Sequence, residues 1–470
     1  MKKRKVAAVF LILGFLLVYL MFILHRDSSY KYEFFSKIKV YSKLGAGSSL
    51  DNIPSVNTAS NFSADPLRDT VSTSTPQPLG LEHEENGESF QYGIMFDAGS
   101  TGTRIHVFKF QVVDKGKGTC LPSFLSPFSF PSHVLKCLCL VSPEIPRLKN
   151  ETFKAISPGL SAYADDPDAC TPGIMELLEV AKTSVPQSLW SVTPLVLKAT
   201  AGLRLLPGQL ADKLLDKVRA LFQESPFPSK EESVSVMDGT DEGISAWITV
   251  NFLTGGLQSS DSSTVGILDL GGGSTQITFS PKDEKTIQIS PVDDIRSFQV
   301  FNKTHTLYAH SYLGLGLVSV RRAILENPDF GSTVVTSICM SPDFETTFEQ
   351  ANIIYTLKGQ KAGEPAYEPC RTKMEKFLYK KVTKVSEAAD LDFYAFSYYY
   401  DLAAELNLID LKKGGTLRVS DYTTAAQKVC GNLVTSPPKI PSLCLDLLYI
   451  SVLLQELGFP LDKELKVRPD

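Results

Sequence analysis

Gly93-Ile94-Met95-Phe96-Asp97-Ala98-Gly99-Ser100-Thr101-Gly102-Thr103-Arg104 decides the fold. A short apolar run of buried-strand character ends on an aspartate, passes through a turn of glycines and hydroxyls, and gives way to a second apolar run, Ile105 to Phe110. The pattern predicts a hairpin. The same grammar returns at Val265-Gly266-Ile267-Leu268, Asp269-Leu270-Gly271-Gly272-Gly273-Ser274-Thr275-Gln276 and Ile277-Thr278-Phe279, with the second aspartate 172 residues after the first. That spacing predicts an internal duplication at domain scale. Glycines let backbone N–H groups approach an anion, hydroxyls add donors, and an aspartate at the strand end suits a divalent cation. One such turn is usually only a turn; two copies with the same grammar point to phosphate and metal chemistry.

Two further stretches lie between the copies. Pro194 to Ala199 is an apolar strand running into Thr200-Ala201-Gly202-Leu203-Arg204, a small-residue turn with a hydroxyl and a cation. Gly239-Thr240-Asp241-Glu242-Gly243 is a helix start with Thr240 as its expected cap. Its two first-turn acids are explained locally by the helix dipole, an effect of about 0.3–1 kcal/mol.

Outside this body the chain changes character. Lys2 to Lys5 precede an uncharged, almost wholly apolar run, Val6 to Leu24, whose nineteen residues would extend about 29 Å as a helix. We read 1–5 as a cytosolic tail and 6–24 as a transmembrane signal anchor of type II orientation; cleavage and secretion is the alternative. Residues 25–90, rich in Ser, Thr, Asn and Pro from about Lys43, read as a disordered stalk. In that topology the sequons at Asn61, Asn150 and Asn302 would meet the glycosylation machinery. Of the eight cysteines, Cys339 with Cys370 and Cys430 with Cys444 are the natural local pairs in an oxidising lumen, with buried free thiols as the alternative. Cys137 and Cys139 are too close for a zinc pair, and no second pair joins them. A net charge of −5 gives no basic excess for nucleic acid, and 43 % apolar with 21 % charged residues excludes wholesale disorder and a polytopic membrane protein.

Taken together, Asp97–Phe108, Ala199–Pro207, Gly239–Gly255 and Leu268–Phe279 resemble the first four signature regions of the ectonucleoside triphosphate diphosphohydrolase (apyrase) family. Ser157 to Tyr163 and Phe393 to Tyr400 are worded most like the Golgi and secreted branch that contains member six. The resemblance covers about 91–110 and 147–463. It implies an α/β, actin-like ATPase fold: two ribonuclease-H-like domains, 91–238 and 239–470, with nucleotide in the interdomain cleft. By the family's pattern, Asp97 and Asp269 would hold Ca2+ or Mg2+ through water. Ser100, Thr101, Gly102, Thr103, Arg104, Thr200, Gly271, Gly272, Gly273 and Ser274 would clamp the phosphates. Glu242 would be the general base, with Gln276 positioning the attacking water, which displaces the local explanation of Glu242. An aromatic from Tyr398, Tyr399 and Tyr400 would stack on the base, Tyr399 and Tyr400 being the candidates carried forward. The implied activity is metal-dependent hydrolysis of GDP, UDP or IDP to monophosphate and phosphate at the Golgi membrane, supporting glycosylation.

Two departures stand against the family pattern. The apolar, proline-punctuated stretch 112–144, with Phe124, Phe128, Phe130, Cys120, Cys137 and Cys139, has no counterpart, and a closing element of the first domain is expected beyond Gly458. They leave a catalytically impaired isoform, acting as a non-catalytic lumenal binding protein, as the alternative. Within enzymes the rival is another actin-like phosphotransferase, a sugar kinase or exopolyphosphatase.

Overall fold

A computed structural model describes residues 89–112, 146–257, 263–300, 303–325, 332–350, 353–359, 361, 366–433, 435 and 437–469. The proposed anchor and stalk, the 113–145 stretch with Cys120, Cys137 and Cys139, and the sequons' Asn61 and Asn302 lie outside these residues. Among the described residues no helix is long and apolar enough to cross a membrane.

The first hairpin is β1 (Ser89–Ala98) and β2 (Thr103–Val112), antiparallel with Asp97 opposite Arg104. Strand β3 (Arg147–Ile156) adds to β2, and β4 (Leu195–Ala199) and β5 (Val234–Val236) add in parallel on the other side, giving the order β3-β2-β1-β4-β5. Helices α1 (Thr171–Ser184) and α3 (Gly208–Gln223) bury Ile174, Leu177, Leu214 and Val218 against Phe96, Ile105 and Leu197, while α2 (Ala201–Arg204) is the single turn that follows β4. Burying each such side chain stabilises by about 1.5–3 kcal/mol.

Helix α4 (Gly239–Leu253) opens the second half, whose sheet repeats the motif: β6 (Gly266–Leu270) and β7 (Ser274–Phe279) form a hairpin with Asp269 opposite Gln276. The structure therefore bears the two hairpins out. The chain continues through α5 (Glu284–Ile289), β8 (Ile295–Val300), β9 (Lys303–Leu313) and α6 (Leu317–Leu325). A small sheet follows, β10 (Val334–Ser337), β11 (Glu345–Gln350) and β12 (Ile353–Gly359), with α7 (Tyr367–Leu378) after it. Then come β13 (Phe393–Ser397), α8 (Tyr398–Glu405), β14 (Gly415–Arg418), α9 (Val419–Gly431), α10 (Leu443–Leu457) and β15 (Glu464–Val467). The seven-stranded order is β14-β15-β13-β6-β7-β9-β8, so the final strand is taken up by the second sheet. Every residue of β7 is buried, as a strand covered on both faces requires. Helix α10 is buried nearly all round and forms the centre of the larger core.

The two expected disulfides are present. Cys339–Cys370 joins the turn after β10 to α7, and Cys430–Cys444 joins the last turn of α9 to the first of α10. Cys170 is free and buried. Asn150 is exposed on β3, the edge strand of the first sheet. Asp238, not Thr240, caps α4: its carboxylate accepts from the Thr240 amide at 2.8 Å, which places Thr240 inside the first turn. Asp238, two residues upstream, takes the cap because its extended backbone at the helix entry turns the carboxylate back onto the free amide of the first turn.

Candidate active site

The glycine turns of the two hairpins meet across the cleft between the sheets. An added Cβ on Gly272 would lie 2.4 Å from Ser100 Oγ, and one on Gly273 2.8 Å from the Ala201 Cβ. Each turn is backed by a second glycine. A Cβ on Gly159 would meet Gly99 O at 2.4 Å; one on Gly316 would meet backbone atoms of Gly272, Gly273 and Ser274, also at 2.4 Å. Only hydrogen fits at these contacts. The carbonyls of Gly271, Gly272 and Gly273 accept from the amides of Leu317, Ser319 and Gly314 at 2.9, 3.0 and 2.8 Å. Because a trans peptide points the next N–H opposite to its C=O within one plane, the N–H groups of Gly272, Gly273 and Ser274 point away from residues 314–319.

The first turn is organised by charge. Arg104 Nη1 donates to Asp97 Oδ2 at 2.8 Å across the hairpin. Thr200 lies beside it, its amide donating to Ala98 O at 3.1 Å. Thr103 faces the other way: it is 2 % exposed and pairs with Ala98 on the face that carries Ile105 into the core. Its hydroxyl therefore leaves the set of expected phosphate donors, and Ser100 and Thr101 remain.

Where the halves join, five polar side chains converge. Arg204 Nη2 donates to Glu242 Oε2 at 2.7 Å and to Ser274 Oγ at 3.0 Å, and its Nη1 to Met237 O at 2.9 Å. Gln276 Nε2 donates to Ser274 Oγ at 2.7 Å, and to Glu242 Oε2 and Ser311 Oγ at 3.1 Å each. Burial pushes the Glu242 carboxyl above the usual carboxylate range; the adjacent Arg204 guanidinium pulls against that shift, while Asp97 and Asp238 add to it. Glu242 is thus a carboxylate of raised basicity beside a fixed cation. Gln276 is 1 % exposed, and its Oε1 is buried with no hydrogen-bond partner among the described residues.

The tyrosine cluster departs from expectation. Tyr399 is wholly buried behind β13 and its carbonyl accepts from Tyr422 Oη at 2.7 Å, so it has no face to offer a base. Tyr400 is half-buried against the larger core, and its hydroxyl donates to Leu411 O. Tyr399 is thus a core residue, while Tyr400 keeps part of its surface exposed. Tyr398 lies near charge from both halves: burial pushes its phenol up, Asp401 and Asp446 add to that, and Arg321 and Arg104 oppose it.

The remaining expected residues, Asp97, Ser100, Thr101, Gly102, Arg104, Thr200, Glu242, Asp269, Gly271 to Ser274 and Gln276, are brought to one cleft. Arg204, Ser311, Gly159 and Gly316 were not among them. In the sequence Arg204 shows only as the cation of its turn, the two glycines carry a weak signal in Pro158-Gly159 and Gly314-Leu315-Gly316, and Ser311 within β9 carries none.

Paired strand–glycine turn–strand units facing each other, each on a mixed sheet, define an actin-like, phosphate-handling enzyme. A nucleoside triphosphate hydrolase structure from Neospora caninum shares this fold, with TM-score 0.54 and 14 % identity over 81 % of this chain and 88 % of that one. Residues 83–468 match the GDA1/CD39 (nucleoside phosphatase) family, and the chain belongs to it. Ectonucleoside triphosphate diphosphohydrolase 6 of Mus musculus is 52 % identical over 385 residues, 81 % of this chain and 78 % of the relative. The Homo sapiens protein of the same name is 49 % identical over 394 residues, 83 % and 75 % of the two chains. The protein is accordingly a phosphoanhydride hydrolase.

Proposed function

We propose that this chain hydrolyses nucleoside diphosphates, GDP, UDP or IDP, to monophosphate and phosphate, and handles triphosphates poorly. The carrying observation is the Glu242, Arg204, Gln276 and Ser274 cluster at the meeting point of the two glycine turns. The turns would hold the phosphates from both sides through backbone amides and the hydroxyls of Ser100, Thr101 and Ser274, with Arg104 adding charge. Glu242 would take the proton of the attacking water. The Gln276 Oε1, buried and with no partner among the described residues, would accept that water's other hydrogen. Arg204 opposes the upward effect of burial on the Glu242 carboxyl.

The donor set fits a hard divalent cation. Asp97 and Asp269 occupy matching positions in the two hairpins, each ending the strand before a glycine turn. Among the described residues no group of three His, Cys, Asp or Glu could cage a metal alone. Two carboxylates with water suit Mg2+ or Ca2+, which accept water and substrate oxygens, and not a site of soft ligands. When bound, such an ion would neutralise charge on the phosphates.

For the compartment, the two disulfides favour an oxidising lumen. With the type II anchor read at 6–24, they support a place on the Golgi membrane with the catalytic body in the lumen, where diphosphates are released by glycosyl transfer. The test is phosphate release from GDP, UDP, IDP, GTP and GMP with Mg2+, Ca2+ or chelator. Release from diphosphates above all others, lost in chelator, is expected; a folded chain that releases nothing from any nucleotide would leave the binding-protein reading.

A further inference from the structure

Strand β13 ends on Ser397, whose φ of 57° and ψ of −131° fall where a residue with a side chain seldom sits. Such backbone persists only where its surroundings enforce it, and it concentrates at functional sites. The register of β13 on β6 sets Phe396 beside Asp269 and Ser397 beside Leu270, so this elbow adjoins the second glycine turn. The first residue it delivers is Tyr398.

Two guanidinium groups attend Tyr398, one from each half of the molecule. Arg321 of α6 lies 5.9 Å from the ring centroid, and the charge of Arg104, in the first hairpin, is felt at the phenol. Arg321 is fixed from behind as a two-pronged fork. Its Nε donates to Asp446 Oδ1 and its Nη2 to Asp446 Oδ2, both at 2.7 Å. Asp446 is fully buried in the mostly apolar α10, and it also accepts from Ser442 Oγ at 2.9 Å. The same helix donates from Tyr449 Oη to Leu315 O, and residues 314–319 in turn hold the carbonyls of the second glycine turn. Elbow, fork and turn are one connected block.

A buried ion pair is a poor device for stability alone, because well-packed apolar residues in its place are often as stable or more so. The arginine's remaining contact, with Tyr398, gives the pair another use. We propose that Arg321, held by Asp446, is a positioning residue for the hydrolysis: it sets Tyr398 at the second glycine turn and thereby the affinity for the nucleoside diphosphate. This rests on the diphosphatase reading above.

The experiment compares the parent with R321K, R321M and the apolar pair R321M/D446L, using the full chain, by thermal melting, by kcat and KM for GDP, and by calorimetric Kd for GDP. R321M alone strands a buried carboxylate and should melt early. The apolar pair should restore the parent's melting temperature, yet raise KM and Kd about tenfold with kcat within about threefold. R321K keeps the charge but not the planar fork and should fall between. An apolar-pair variant that melts like the parent and binds GDP like the parent would overturn the proposal and leave the pair purely structural. If that variant does not fold, Y398A decides: a similar rise in Kd supports the proposal, and an unchanged Kd refutes it. A parent that binds GDP without releasing phosphate would defeat the diphosphatase reading and leave the Kd comparison intact.

Discussion

Replacing Glu242 by Gln should separate activity from stability in opposite directions. The amide keeps the size of the side chain and an oxygen that can still accept from Arg204 Nη2 and Gln276 Nε2, now at 2.7 and 3.1 Å, but it cannot take a proton from water. A positioned general base contributes about 10²–10⁴-fold, which at 1.36 kcal/mol per tenfold is about 3–5 kcal/mol of the barrier. The stability effect has the other sign. Burial is the largest influence on Glu242 and raises its carboxyl, so folding favours its protonated form. Above that raised pKa the ionised carboxylate subtracts from stability, and it stops doing so as the pH falls through it. An uncharged amide removes the penalty, while Arg204 loses one charged partner. The two effects oppose, so the melting temperature should hold within about 3 °C or rise, since 1 kcal/mol moves a domain of this size by about 2–4 °C. Phosphate release from saturating GDP and thermal melting followed by circular dichroism measure the two. Turnover near the parent's would remove Glu242 from the chemistry; lost turnover with a melting temperature lowered by much more than that would show that the residue holds the fold.

R204M removes the cation that opposes the burial of Glu242, so the acid limb of kcat/KM, which reports the base in its free state, should move to higher pH; a limb that stays or moves down contradicts the assignment. Asp97→Ala and Asp269→Ala should each lower turnover by ~10²-fold or more, and chelator should silence the parent; full activity in excess chelator would sink the cation reading. Gly316→Ala forces a carbon to within 2.4 Å of the second glycine turn, and a displacement of about 1 Å there should cost ~10²-fold in kcat/KM for GDP, whereas parent-like kinetics would show that the turn tolerates movement.

The glycine hairpins were legible because everything they need is contiguous: strand, aspartate, turn and strand fall within residues 93–110, and the second copy at 265–279 repeats the first. Glu242 was legible only through the family pattern, since on local grounds a first-turn acid needs no purpose beyond the helix dipole. Arg204 is illegible for the opposite reason. Its partners come from Met237, Glu242 and Ser274, none of them near it in sequence, so its role exists only once the two halves meet. The burial of Tyr399 is not legible in the sequence because alternation along β13 stops at Ser397. There the backbone turns into α8, which carries Tyr399 into the core and leaves Tyr398 toward the arginines. Thr103 failed by simple strand parity: Arg104 shares a face with Asp97, and its neighbour must take the other.

The central claim is that water, positioned by Glu242 and Gln276, attacks the terminal phosphorus of a nucleoside diphosphate held between the two glycine turns. Hydrolysis of GDP in water enriched with oxygen-18, with the products weighed by mass spectrometry, tests it most directly. The account predicts one labelled oxygen in each released phosphate, none in GMP, and labelled phosphate forming about 10²–10⁴-fold more slowly from the Glu242→Gln variant. Label in GMP, or labelled phosphate from that variant at the parent's rate, would contradict it.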